Sequence, residues 1–82
     1  LPLDQPLRLR RDLRTTWKEG GAELVTHHLK IDVQDATLLR ALAEGGRTAT
    51  ALALECEGQR SLEQTLLELN RLFSMGLLDE EP

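Results

Sequence analysis

The stretch Ser61–Leu78, "SLEQTLLELNRLFSMGLL", decides the reading of this chain. Ser61 and Gln64 form an S-x-x-Q pair, the signature of a helix start in which each side chain bonds the other residue's backbone N–H. Leu62, Leu66, Leu69 and Phe73 follow at helical spacing. Gly76 stands where a helix commonly ends on a left-handed residue, a conformation glycine takes without steric cost. Leu77-Leu78 is then expected to return to a sheet as a final extended piece.

Two shorter helical patterns precede this one. The first runs from Asp35 to Glu44, with Asp35 as N-cap, Leu38, Leu39 and Leu42 as its apolar stripe, and Gly45-Gly46 as its stop. Thr48 caps the second, "ATALALEC", which ends at Gly58. Upstream the pattern changes to alternation. Leu7, Leu9 and Arg11 alternate with Arg8, Arg10 and Asp12, and Thr15-Thr16-Trp17 has good strand propensity. Gly20-Gly21 is a hairpin-turn signal. "ELVTHHLKIDV" (Glu23–Val33) reads as one further strand in which Leu29, Ile31 and Val33 alternate. Strands followed by three helices give an α+β, winged-helix-like fold, with a short antiparallel sheet of two to three strands. The expected boundaries are an extended lead-in over 1–6, one domain over 7–78, and an acidic tail over 79–82.

Composition narrows the function classes. The chain has 82 residues, of which 19 are leucine and only Trp17 and Phe73 are aromatic. That suffices for one modest aliphatic core. No run of apolar residues is long enough for a membrane span, and no secretory signal is visible, so a cytoplasmic setting is the expectation. A single cysteine, Cys56, forms no internal disulfide. The net charge of −4 is unevenly spread. Residues 1–30 hold six Lys/Arg against four acids, and residues 31–82 hold four against ten. A whole-domain basic footprint for nucleic acid is missing.

Catalytic and metal readings find little to build on. On a strand His27 and His28 would point to opposite faces, one to the sheet and one to solvent, and could not share a metal. Cys56 lacks a companion His or Asp and reads as a small buried hydrophobe. Asp32 and Asp35 could serve acid–base chemistry in a cleft, but helix capping by Asp35 and solvation of Asp32 account for them. Ser61 bears a faint likeness to a carrier-protein attachment serine, and the capping box explains it fully. No cofactor is implied.

Binding is the remaining class. A DNA-reading third helix would carry Gln64, Asn70 and Arg71, but Glu63 and Glu68 would meet phosphates, which makes nucleic acid the weaker reading. An open sheet edge can instead accept an extended peptide as an added strand. If the Glu23–Val33 strand is that edge and lies beside the third helix, the peptide-binding residues are Leu24, Thr26, Leu29, Lys30, Ile31, Leu66, Leu69 and Arg71. Leu29, Ile31, Leu66 and Leu69 would be the walls. Lys30 and Arg71 would anchor acidic ligand side chains.

"KIDVQDATLLRALAEGGRTATALALECEG" followed by "SLEQTLLELNRLFSMGLL" resembles the RiPP recognition element, the domain type of the peptide chaperone in pyrroloquinoline-quinone biosynthesis. Gly45-Gly46-Arg47-Thr48 and Gly76-Leu77-Leu78 match two landmarks of that family, and the likeness spans residues 23–78. It implies three strands, three helices, no catalysis, and a precursor's leader peptide docked as a strand against the third strand and third helix. His27-His28-Leu29 and Asp32 depart from the family pattern. A looser likeness to accessory domains of methyltransferases and cupin-type oxygenases implies dimerisation or substrate presentation instead. The expected partner is therefore a peptide or protein, either a leader peptide or the domain's own parent enzyme. A homodimer is compatible with the same features.

Overall fold

A computed structural model of the chain describes residues 3–81. The elements are β1 (Pro6–Leu9), β2 (Arg14–Lys18), β3 (Gly21–Val25), β4 (Lys30–Val33), α1 (Ala36–Glu44), β5 (Arg47–Thr48), α2 (Ala49–Glu55), α3 (Leu62–Ser74) and β6 (Leu78–Glu80). Two antiparallel sheets form, in the orders β2-β3-β4 and β5-β1-β6. With three helices this is an α+β fold compatible with a winged helix, the first sheet being the wing.

The helix boundaries follow from caps written into the sequence. The Asp35 carboxylate accepts from Leu38 N, Thr48 Oγ1 from Ala51 N, and Ser61 Oγ from Gln64 N. The Gln64 side chain returns a bond to Ser61 N, completing the capping box. Such a cap is worth about 1 kcal/mol. At the far end of α3, Gly76 has φ +76°, and Gly76 N and Leu77 N donate to Phe73 O and Leu72 O. These paired bonds turn the chain sharply out of the helix and into β6.

The buried stripe of α3 is Thr65, Leu69 and Leu72. Leu62, expected in the stripe, is 39 % exposed, because the helix leans its following turns on the core. Leu69 and Leu72 join Leu7, Leu24, Leu38, Leu39, Leu42, Leu52 and Leu77, all fully buried. Burying each such leucine contributes about 1.5–3 kcal/mol.

The wing departs from the sequence reading at both of its turns. Lys18 pairs with Gly21, so Glu19-Gly20 is the turn, with φ +78° at Gly20. Gly21 is needed for another reason: a Cβ there would strike the Val33 carbonyl. The expected single strand Glu23–Val33 is two strands, β3 and β4, joined by the loop Thr26–Leu29. Thr26 N donates to Leu29 O at 2.7 Å, and His28 N to Thr26 Oγ1 at 3.2 Å. The hydroxyl of Thr26 thus supplies the turn bond that glycine or proline usually marks. His27 and His28 are therefore both exposed on this loop, rings 6.5 Å apart, and neither faces the sheet.

The second sheet ties distant parts of the chain together. β1 pairs with β5 on one side and β6 on the other. β6 carries the sheet into Asp79 and Glu80, and Glu81 Oε1 accepts from Gly46 N at 2.7 Å. Arg10 Nη1 donates to Gly76 O at 3.0 Å, which occupies one of the N-terminal arginines with the end of α3. No helix among the described residues is long and apolar enough to cross a membrane.

Candidate functional site

The wing has two free edges, and antiparallel geometry fixes which backbone groups they offer. Neighbouring residues of a strand turn their N–H and C=O alternately toward and away from the partner. The Thr26–Leu29 bond points Leu29 toward β3, so Ile31 and Val33 also point that way. Lys30 and Asp32 then turn their N–H and C=O outward. By the same parity Gly21, Glu23 and Val25 face β2, which leaves Thr15 and Trp17 turned outward from β2. β3 is paired on both sides and offers no edge.

The Asp32–Val33 end of β4 faces α3. Between them lies a groove of about 240 Å³ lined by Asp32, Val33, Gln34, Asp35, Arg60, Glu68 and Arg71. Val33 is its apolar floor, 2 % exposed. Its rims are ion pairs. Arg71 Nε and Nη2 clasp Glu68 at 3.1 and 2.6 Å, a two-bond fork that raises the Arg71 pKa. Arg60 Nη1 lies 3.1 Å from Asp35 Oδ2, a close ion pair off the angle of a hydrogen bond. Asp32 Oδ1 accepts from Lys18 Nζ at 3.0 Å, and this bond raises the lysine's pKa. Glu23 sits between Lys18 (3.5 Å) and Lys30 (3.8 Å) on the outer wing face.

The expected peptide-binding residues do not all meet here. Lys30 and Ile31 lie on the free edge, and Arg71 lines the groove. Leu24 and Leu69 are fully buried, so they are core rather than walls. Thr26 and Leu29 belong to the wing-tip loop rather than the edge. Leu66 is five residues before Arg71, which puts it about 140° away around the helix. It borders a separate shallow apolar depression with Glu63, Leu67 and Asn70. Gln34, Arg60 and Glu68 line the groove although none was among the expected peptide-binding residues, Glu68 having been read only as a carboxylate opposing nucleic acid. Their only local signal is that Gln34 and Arg60 immediately precede the cap residues Asp35 and Ser61.

The other candidates resolve simply. No group of three or more His, Cys, Asp or Glu among the described residues could hold a metal. Cys56 is 2 % exposed, and burial, foremost, pushes its thiol pKa up. That is the opposite of an activated nucleophile. Asp35 serves as the α1 cap and partner of Arg60.

No protein-family model matches the sequence, and no curated protein matches it. Among solved structures the chain superposes on the heterocyclase TruD with a TM-score of 0.74 and 20% identity, covering 94% of this chain and 12% of that one. A heterocyclase in complex with substrate and cofactor gives 0.73 and 18%, covering 95% and 11%. These likenesses show a shared fold. The chain spans about an eighth of the length of the heterocyclases it matches.

Proposed function

We propose that this domain captures an extended peptide as an added strand on β4 and presents it to a peptide-modifying enzyme, without carrying out chemistry itself. The observation that carries the reading is the free β4 edge, with the backbone of Lys30 and Asp32 turned outward and its Asp32–Val33 end opening on a groove shared with α3. Main-chain bonds to these two residues would supply affinity independent of ligand sequence. Ligand side chains on the groove side would meet Val33 and the Arg71–Glu68 fork. A ligand carboxylate can take the place of Glu68 on Arg71, since both offer the same bidentate geometry. The shared fold with a small part of two heterocyclases supports a role in an enzyme of that kind.

The experiment is an amide-resolved NMR titration of the labelled chain with leader segments of ribosomal precursor peptides, then with duplex DNA. Peptide-induced shifts at Lys30, Asp32 and along the Glu68–Arg71 face, with β2 undisturbed, are the expected result. Shifts only with DNA, on the arginine-rich strands and α3, would replace the reading with a DNA-binding regulator. Silence with both would leave an accessory domain whose partner is the rest of a larger enzyme.

A further inference from the structure

The outer face of the wing carries a charge pattern that bears on what β4 accepts. Residues directly opposite each other in an antiparallel pair turn their side chains to the same face. Ile31 and Val33 stand opposite Leu24 and Ala22, and these four face the core. Lys30 and Asp32 stand opposite Val25 and Glu23 and therefore face outward. Glu23 and Asp32 are thus like charges directly across from each other, an arrangement that destabilises a strand pair. Lys18 offsets it, 3.5 Å from Glu23 and 3.0 Å from Asp32. Lys30 is less well matched. Its one ion pair among the described residues is with Glu23, at 3.8 Å, and its side chain is 70% exposed.

A strand added to β4 extends each of these rows by one residue. The ligand residue opposite Asp32 becomes the third side chain of the row Glu23–Asp32. A carboxylate there would set three acids side by side, whereas a cation would relieve the two already present. The ligand residue opposite Lys30 lies two positions away on the same face. It meets a lysine whose neighbour in β3 is the uncharged Val25, so a carboxylate fits there. Between them, the residue opposite Ile31 turns to the inner face, where Ile31 packs on the core, and an apolar side chain suits it. Antiparallel addition, the slightly more stable pairing, runs the ligand from Asp32 toward Lys30. We propose, on the basis of strand capture by β4, that this edge selects peptides in which a Lys or Arg is followed two residues later by an Asp or Glu. The cation lies opposite Asp32 and the acid opposite Lys30. The opposite order would set like charges against each other at both positions.

Three end-capped synthetic peptides test the pattern on the labelled chain: Thr-Val-Lys-Val-Glu-Val-Thr, the swapped Thr-Val-Glu-Val-Lys-Val-Thr, and the neutral Thr-Val-Gln-Val-Gln-Val-Thr. Amide shifts of Lys30 and Asp32 give a Kd for each. The first should bind about ten-fold more tightly than the second at low salt, with the neutral peptide between them, because two exposed pairs change from attraction to repulsion at a few-fold each. High salt should narrow the gap by screening. The double substitution Lys30→Glu, Asp32→Lys puts a cation directly opposite Glu23 and should reverse the preference. All three peptides binding alike, with the β4 amides shifted, would overturn the charge pattern and leave strand capture standing. Tighter binding of the swapped peptide to the native chain would overturn the order. No shift at Lys30 or Asp32 with any of the three would overturn capture and pattern together.

Discussion

Replacing Asp32 by proline tests strand capture at the level of a single N–H. Asp32 N points away from β3, so the substitution removes no bond from the wing itself. The preceding residue, Ile31, is already in a strand, the conformation a following proline requires. In the complex, the ligand loses one N–H···O bond worth about 1 kcal/mol, and its carbonyl is left facing the ring, a further cost of about 1–3 kcal/mol. The sum of about 2–4 kcal/mol corresponds to a Kd raised about 30- to 700-fold. Losing the Asp32–Lys18 pair adds little, because the two side chains are 57% and 49% exposed. Calorimetric titration of the peptide that shifts β4 in the NMR experiment provides the readout. Two controls separate the causes. Asp32→Asn keeps the N–H and removes the charge, and should bind within a few-fold of the native chain. Thr15→Pro places the same ring on the opposite edge and should leave peptide affinity unchanged. An Asp32→Pro chain that is folded by amide dispersion and binds the peptide as tightly as the native one would refute strand addition on β4.

Gly21→Ala is expected to lower stability by about 1–3 kcal/mol, the cost of overpacking, because the new methyl meets the Val33 carbonyl; urea denaturation measures it, and an unchanged midpoint would show that the hairpin is looser than described. Ser61→Ala should cost about 1 kcal/mol in the same assay through loss of the capping box. Cys56 should resist thiol reagents in the folded chain and react at once in denaturant. Its raised folded pKa also gives a sign for alkaline stability. The contribution is fully present below the unfolded thiol value of 9.0 and is lost as pH rises through the folded value, because the unfolded chain releases its proton first. A denaturation midpoint for the native chain that falls above pH 9, with a smaller fall in Cys56→Ala, is the expected result.

Helices were legible because their signals are local. Asp35, Thr48, Ser61 and Gly76 each act on backbone groups within a few positions, and each does what its type and spacing predict. The wing was half legible. Gly20-Gly21 announced its first turn, whereas the turn at Thr26–Leu29 contains no glycine, proline, asparagine or aspartate. A signal was present all the same. Inward residues are even-numbered before it, Ala22 and Leu24, and odd-numbered after it, Ile31 and Val33. A single strand cannot change face in that way. The second sheet was the hardest to see, because β1, β5 and β6 are short and meet only through tertiary contact. Groove residues such as Gln34, Arg60 and Glu68 share that difficulty. They lie in three separate parts of the chain and come together only in the folded molecule, around the end of β4.

The place of β1 between β5 and β6 has a mechanical consequence. Pro6 and Glu81 lie at the same end of the β1–β6 pair, with Glu81 N donating to Pro6 O at 2.8 Å. A tension applied across the two ends of the chain would load that bond first, then those toward Leu9 and Leu78 in turn, opening the pair like a zipper. Bonds that break one after another resist far less than bonds sheared together. The domain should therefore yield at low force from its ends, releasing β6 from β1 while the wing and its peptide edge, which lie outside the line of pull, stay folded.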